Sequence, residues 1–490
     1  MSFILCNLIR NPKLLLLMKT KLLLSVLALL FLPLLTQATH IKSGYISYIR
    51  DAENSRKFDF TLTVYTNHMS VAEDPEVTVL MGDGNEVVIQ RTSVTKYSTF
   101  QDVELFQWSY TYDTPGLYTV AWISENRIHN ILNIQGPSDI HSFYVSTTVN
   151  VNPLNPNRHG IRLAGVPIKD GFVGQPIRHN LAAYDADNNK LTYKLVTPKT
   201  ATRESIGIGI TAPRIADIPG YSIPEGLTIN EHGELNWDAP ATIGMYTIAV
   251  EITEHWNGVE QGTTLVDIFI LVEDPKYSLT PQLELLNKAQ LALDENGALR
   301  LMPGQQLKLN YFMRRHPGTD YPVKTKLYSE LDTLELTPIQ ITTRDSADGR
   351  AITVAFAPGE ELVREQAYIL AMSALLLHHV DNPHHIDDAD WEFTYVYVGN
   401  AQPTSADDKL KKAGFILYPN PVADKFVVEA PDMPGMFVHL YDATGKRAGA
   451  LRLQPGKNHF TKPASLSTGL YFYTIYSRQR PVGTGKLVVR

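Results

Sequence analysis

The sequence predicts an all-β fold arranged as a row of β-sandwich modules. Apolar and polar residues alternate over many short runs. Phe58, Phe60, Leu62 and Val64 interleave with Asp59, Thr61, Thr63 and Tyr65, the period of a half-buried strand. Turn formers punctuate those runs, with 31 glycines and 30 prolines in 490 residues. The 24 tyrosines add strand propensity. A chain of this length holds about three to four domains.

Charged residues make up 19% and hydrophobic ones 44% of the chain, a globular balance. The net charge of −7 argues against nucleic acid as a partner, which needs a basic face. Residues 1–38 read as a signal peptide. Met18-Lys19-Thr20-Lys21 is a basic start, Leu22 to Leu35 an apolar run, and Thr36-Gln37-Ala38 a small-residue cleavage site. The single cysteine, Cys6, lies inside that segment. The mature chain is therefore expected to hold together by burial, without disulfides.

Residues 39–152 form the first module. Gly82-Asp83-Gly84-Asn85 is a hairpin turn between Val77–Leu80 and Val87–Ile89. Pro115-Gly116 feeds a strand with Tyr118, Val120 and Trp122 on one face. Gly82-Asp83-Gly84 followed by Tyr110 to Val120 resembles the PKD (polycystic-kidney-disease-type) β-sandwich. Val79-Leu80-Met81 stands where that family carries Trp-x-Phe.

Asn152 to Asn157, with two prolines, reads as a linker. The second module, 153–274, carries Ala183-Tyr184-Asp185-Ala186-Asp187-Asn188-Asn189, then Pro224 to Asn230, Gly233 to Trp237, and a strand alternating Tyr246, Ile248, Val250 and Ile252. This succession resembles a cadherin-like, immunoglobulin-like domain. The third module, 275–402, alternates at Leu307, Leu309 and Tyr311, at Ile352, Val354 and Phe356, and at Trp391, Phe393, Tyr395 and Tyr397. It is read as a further β-sandwich of no assigned family. Leu283–Leu293 fits a strand or a short helix. Residues 403–412 are polar and charged, a linker.

The last module, 413–490, opens on Tyr418-Pro419-Asn420-Pro421, a stiff turn because each proline lacks a backbone donor. Asp442 to Gly445 is a second turn. Gly469-Leu470-Tyr471 begins a strand, and Lys486-Leu487-Val488-Val489 ends the chain. In order and spacing these residues resemble the C-terminal sorting domain of the type IX secretion system. The resemblance implies a Gram-negative bacterium, export across the outer membrane, and recognition by the secretion machinery. Tyr418, Pro419, Asn420, Pro421, Gly445, Gly469, Tyr471, Lys486 and Val488 are the motif positions. The terminal strand is expected to be available to a receptor by edge pairing.

Two stretches suit metals. Asp185, Asp187 and Asn189 set oxygen atoms two residues apart, with Glu254 placed to close the set, the ligand type calcium prefers. The alternative is a solvated turn, where Asp and Asn are favoured for backbone reasons. His378, His379, His384 and His385 share a run with Asp381, Asp387, Asp388 and Asp390, suited to a transition metal or to a hydrated hairpin tip. The aromatic face from Trp391 to Tyr397 suits core packing better than sugar stacking.

No Gly-x-Ser-x-Gly elbow, His-Glu-x-x-His helix or phosphate loop occurs. The sequence is therefore read as a non-catalytic secreted or cell-surface protein with an adhesion or surface-assembly role. Surface polysaccharide and other surface proteins are its candidate partners. The alternative is a secreted carbohydrate-active or hydrolytic protein with its site in 275–402.

Overall fold

A computed structural model describes residues 41–490 except 72, 126, 154, 156, 208–209, 257, 295, 378–386, 400–409, 411–412, 443–445, 464–465 and 479. The chain is all-β, 58% strand and 4% helix, and divides into two compact units. The larger takes residues through Lys288 with 309–354 and 369–394; the smaller takes 289–308, 355–368 and 395–490. The signal-peptide reading lies outside the described residues.

In the larger unit the first seven strands are β1 (Ile41–Arg50), β2 (Lys57–Asn67), β3 (Glu76–Leu80), β4 (Glu86–Lys96), β5 (Gln101–Thr111), β6 (Gly116–Ser124) and β7 (Phe143–Val151). They pair in the order β1-β2-β5-β4-β3-β6-β7. The expected alternation is met: Phe58, Phe60, Leu62 and Val64 are all buried. Their rings and methyls meet Tyr48, Phe106, Tyr112, Val120 and Trp122 in one core. Tyr48 packs edge-on to Phe58 at 5.6 Å, and Phe58 to Tyr112 at 5.9 Å. Such pairs add about 0.5–1.5 kcal/mol each beyond burial. The β3–β4 turn depends on Gly82, at φ +83°. A Cβ there would lie 2.7 Å from the backbone N and O of Thr119, so no other residue fits.

The following segment contributes β8 (Ile168–Phe172), β9 (Lys190–Val196), β10 (Gly244–Trp256) and β11 (Val259–Glu273). β11 is the hub. It pairs along its length with β10, reaches β7 through Thr264↔Thr147 and Leu265↔Ser146, and reaches β1 through Gly44↔Asp267. β8 runs parallel to Phe269–Glu273, and β9 lies antiparallel to β10. Because β11 touches both β7 and β1, the sheet path returns on itself. The Asn152–Asn157 stretch, read as a linker, therefore joins strands of one sheet. It is pinned: Arg50 Nη1 donates to Asn152 O (3.3 Å) and Asn155 O (2.7 Å). A long hairpin, Lys199–Gly207 with Ile210–Asp217, was not legible in the sequence. The Ser142 hydroxyl and amide hold its base at Thr200 and Ala201.

From 275 onward, the Leu283–Leu293 ambiguity resolves to a strand, Gln282–Leu285, then a 3₁₀ turn at Lys288–Gln290. Val323–Tyr328 pairs with Tyr368–Leu376 through residues 371–376. Trp391 and Phe393 are buried core residues, with ring centroids 6.2 Å apart.

In the smaller unit, Ala298–Leu301 runs parallel to Tyr395–Val398, and the Arg300 guanidinium covers the Tyr397 ring at 4.6 Å. Residues 416–490 form two sheets. One orders Ile416–Tyr418, Lys425–Ala430 and Gly456–Thr461. The other orders Arg447–Arg452, Met436–Tyr441, Gly469–Ser477 and Arg480–Val489. Phe415, Phe426, Val438, Leu440, Tyr473 and Ile475 fill the space between. Leu410, in the stretch read as a linker, is buried in this same core.

One ion pair stands out in the larger unit. Arg127 and Asp267 are 2% and 1% exposed, with Arg127 Nη2 2.5 Å from Asp267 Oδ2. Thr247 Oγ1 donates to Asp267 Oδ1 (2.5 Å), and Arg127 Nη1 donates to Thr247 Oγ1 (3.3 Å). The guanidinium also stacks on Phe143 at 5.1 Å. Removing one partner strands the other charge in the interior. Asp267→Asn or Arg127→Met alone is expected to cost about 3–5 kcal/mol, while Arg127→Met with Asp267→Leu regains most of that loss. Urea midpoints of the three variants check this.

Candidate functional site

Three segments bring polar side chains to one buried point. The turn before β9 supplies Asp185, Asp187 and Asn189. β10 supplies Glu254, and the stretch after β7 supplies Asn155, Asn157, Arg158 and His159. Asp185 is 2% and Glu254 1% exposed, and Asn189, Asn155 and Asn157 are buried too. Asp and Asn fall here because the turn needs local side-chain acceptors: Asp187 N and Asn189 N both donate to Asp185 Oδ1, at 2.6 and 3.5 Å.

Glu254 stands directly opposite Gly262 in the β10–β11 ladder. A Cβ on Gly262 would lie 3.1 Å from Glu254 Oε1 and 2.8 Å from Thr148 O; the glycine makes the space the carboxylate occupies. Asn157 Nδ2 donates to Glu254 Oε1 (2.7 Å), and Tyr48 OH donates to the same oxygen (3.4 Å). Asn189 Nδ2 donates to Asn157 Oδ1 (2.7 Å). On the other side Glu254 meets the Asp185 carboxyl, with which it shares a side-chain hydrogen bond.

The electrostatics follow from burial. Desolvation, then the adjoining Asp185 carboxyl, pushes the Glu254 carboxyl well above the ordinary range. Desolvation raises Asp185 as well. Asp187 behaves oppositely. Burial alone would raise it, but the His159 ring and the His159 and Arg158 amides outweigh that and hold it low. Its Oδ2 accepts from Arg158 N (2.5 Å) and His159 N (2.7 Å), and its Oδ1 meets His159 Nδ1 at 2.9 Å. The three acids singled out in the sequence are thus neighbours with different duties. Asp185 and Glu254 face each other, and Asp187 fastens the 158–159 backbone.

Asp185 and Glu254 bring two buried carboxyl groups together, and the side-chain amides of Asn157 and Asn189 lie beside them. That chemistry fits a hard cation. Among the described residues no group of three or more His, Cys, Asp or Glu side chains converges to hold a metal ion. The set therefore rests on two carboxylates plus amides. The sequence reading passed over Asn157 and Tyr48. Their signal was faint: an asparagine between a proline and an arginine looks like a turn, and only its burial shows that it is engaged.

His378, His379, His384 and His385 lie outside the described residues, but the acids that follow them do not. Asp387 N donates to Asp170 Oδ2 (2.6 Å), and Ser98 Oγ donates to Asp387 Oδ2 (2.8 Å). Asp388 Oδ1 accepts from Leu279 N and Thr280 Oγ1, and Asp390 Oδ2 from Leu283 N. The Asp388 and Asp390 carboxylates fasten neighbouring backbone, and that of Asp387 takes the Ser98 hydroxyl. A cavity of about 250 Å³ beside them is lined by Lys169, Asp170, Arg178, Asp390, Trp391 and Glu392, among others.

In the last module Tyr418 is partly exposed and donates to Glu429 Oε1 (2.7 Å). Tyr471 is buried, and Gly469 pairs with Val489. Gly445 lies outside the described residues. The expectation of an open terminal strand is corrected. Asn420 Nδ2 donates to Lys486 O (2.7 Å), and Val488 N donates to Asn420 Oδ1 (2.8 Å), so the outer edge at Lys486 and Val488 is already occupied.

The charge state of Glu254 is testable without a ligand. Its folded-state pKa lies above the unfolded value near 4.5, so folding takes up a proton once the pH exceeds that value. This favours the folded state at low pH and is lost as pH rises toward the folded pKa. In EDTA, Glu254→Gln removes that proton uptake. Relative to the variant, the wild type should lose stability from pH 5 to pH 8, by up to ~1.4 kcal/mol per pH unit for one proton. Denaturant melts at three pH values check this; parallel curves would show Glu254 ionised in the fold.

Residues 416–490 match a protein family described as the secretion system C-terminal sorting domain. Among curated proteins no sequence matches the chain. Among solved structures, the cadherin-like domains 1 to 4 of zebrafish RET align at 8% identity, over 92% of this chain and 97% of that one, with a TM-score of 0.16. A SusE-like surface-located polysaccharide-binding protein from the Bacteroides thetaiotaomicron heparin utilisation locus aligns at 10% identity, over 92% and 82%, with a TM-score of 0.17. TM-scores this low carry no argument for this chain. The tail does: residues 416–490 are a type IX secretion sorting domain, and the chain that carries them is a secreted or cell-surface protein of a Gram-negative bacterium of the Bacteroidetes type.

Proposed function

We propose that this chain is a non-catalytic surface protein whose β-sheet modules, once exported, take an adhesion or surface-assembly role, and that calcium binds between Asp185 and Glu254. The observation that carries the export half is the sorting domain at 416–490. It implies an interaction with the secretion machinery. Support for a structural rather than catalytic role comes from how the acids are used. Asp187, Asp170, Asp388 and Asp390 all accept backbone amides, and Asp267 is matched to Arg127. A sugar-stacking role for Trp391, Phe393, Tyr395 and Tyr397 is disfavoured, because all four are buried.

Support for calcium comes from two buried carboxyl groups, Asp185 and Glu254, held in hydrogen-bond contact with each other. Glu254 and Asp185 would hold the ion, with the side-chain amides of Asn157 and Asn189 beside them. The cation would supply charge neutralisation that protons otherwise provide, and so tie the stretch after β7 to β10. Weak binding in the range of extracellular modules, a Kd of roughly 10⁻⁴–10⁻³ M, is the expected calorimetric result for the exported chain. Glu254→Gln should abolish it, and heat from the variant equal to the wild type would refute the assignment.

The export role has a separate test. Deleting Lys486–Arg490 removes the end of the terminal strand, so the chain should accumulate in the periplasm. Protease shaving of intact cells and periplasmic fractionation read this out. Undiminished surface display of the truncated chain would sink the sorting role.

A further inference from the structure

Residues 416–490 carry ten Lys and Arg against four Asp and Glu, in a chain whose net charge is −7. The outer face of their four-stranded sheet gathers part of that charge beside aromatic rings. On strand Met436–Tyr441, Val438 and Leu440 point into the core, so Phe437, His439 and Tyr441 point the other way, and all three are half-buried. The register extends this face over the neighbouring strands. Phe437 lies opposite Arg452 on one side and Tyr476 on the other, and Tyr441 lies opposite Arg447 and Phe472. Phe472 in turn lies opposite Lys486. Arg447, Arg452 and Lys486 are exposed. The module's four acids, Asp424, Glu429, Asp432 and Asp442, all lie off these four strands, so the strands carry positive charge alone. The rings pack on one another. Phe437 and Tyr476 stack at 5.0 Å, and His439 sits 4.9 Å from Phe437 and 5.1 Å from Tyr476. The Tyr441 hydroxyl meets His439 Nδ1 at 3.3 Å and shares a hydrogen bond with Tyr476.

We propose that this face is a binding site for an acidic polysaccharide, a polymer of the uronic acid type. Charge decides the sign of the ligand. Three exposed cations on strands without acids call for an anion, and a guanidinium takes a carboxylate in a two-pronged fork. The rings decide which polyanion. Because they stack on one another, they leave little open ring face for the bases of single-stranded nucleic acid or for the apolar anchors of a protein. What they present is ring edge, two phenol hydroxyls and an imidazole. The hydroxyls of Thr474 and Thr484 continue the row from His439 across the sheet. These groups donate and accept hydrogen bonds, as sugar hydroxyls require. The proposal extends the surface-assembly reading by naming a ligand class. It is read in vitro, so its failure would leave the export and calcium assignments standing.

The test uses the full chain and a fluorescein-labelled galacturonate oligomer, read by anisotropy. A dextran oligomer of the same length and a single-stranded oligothymidylate, labelled in the same way, are the controls. The wild type should bind the galacturonate and leave both controls unbound, with an affinity that falls as salt rises from about 50 to about 500 mM. Arg447→Gln with Arg452→Gln should weaken binding about tenfold or more, the worth of a charge-assisted hydrogen bond, and flatten the salt dependence. His439→Ala with Thr474→Val should weaken it about threefold or more and leave the salt dependence as it was. Both arginines are exposed, so that variant should melt with the wild type. Should the His439 and Thr474 variant not fold, Tyr441→Phe carries the same expectation. No galacturonate binding by the wild type, equal binding of the oligothymidylate, or undiminished binding by the folded arginine variant overturns the proposal.

Discussion

Asp267 sits in the buried middle of β11, and its charge has to be met there. Unpaired, a carboxylate in that position would cost far more than the strand's packing returns. Arg127 meets it, and Thr247 takes the second oxygen. The consequences spread through the sheet. The Ser43 hydroxyl donates to the Asp267 carbonyl, and Gly44 pairs with Asp267, which fixes β1 on β11. Asn133 donates to Thr247 O (2.8 Å), which fixes the loop carrying Arg127 over β10. Through its carboxylate and its backbone, Asp267 thus holds together segments that lie up to more than two hundred residues apart in the chain.

Burial of acids recurs, with different solutions. At Asp267 the countercharge is a guanidinium. At Asp170, buried against Asp387, the cations are Lys42 and Lys169. Burial first, and then Asp387, raises the Asp170 carboxyl, while the lysines pull it back. Burial lowers both lysines in turn. At Asp185 and Glu254 the described neighbours are amides and a phenol, with Arg158 and His159 committed to Asp187. That contrast is the ground for the proposed calcium site at the last pair.

The sorting domain faces a different constraint. A signal that ends in a strand carries an open edge, and an open edge invites pairing with any other strand. Asn420 and Val422 answer that by closing the edge from within the same domain. The Tyr-Pro-Asn-Pro run therefore has a physical reason beyond turning the chain. Two prolines without donors leave the asparagine side chain to make the ladder.

Most of the strand positions could be read from the sequence, since alternation has a period of two and is local. Phe58 to Val64 and Tyr246 to Ile252 declared themselves in this way, as did the Gly82 turn and the tail motifs. The meeting of Asp185 with Glu254 was also within reach, from an acidic turn and an acid at a strand end. What could not be read was which strands pair. Nothing local in Leu265 to Leu271 says that it joins β1 and β7 as well as β10, or that Asp267 will find Arg127. Nor does Asn157 advertise a buried partner, or Asn420 a strand edge. The sequence by itself determined where many of the strands lie, where several of them turn, and that the chain is addressed for export. Tertiary structure alone decided the closure of the first sheet by β11, the makeup of the acidic site and the covering of the terminal edge. The reason is physical: hydrogen-bond pairing and charge burial are satisfied between residues brought together by the fold, and those pairings leave no periodic trace along the chain.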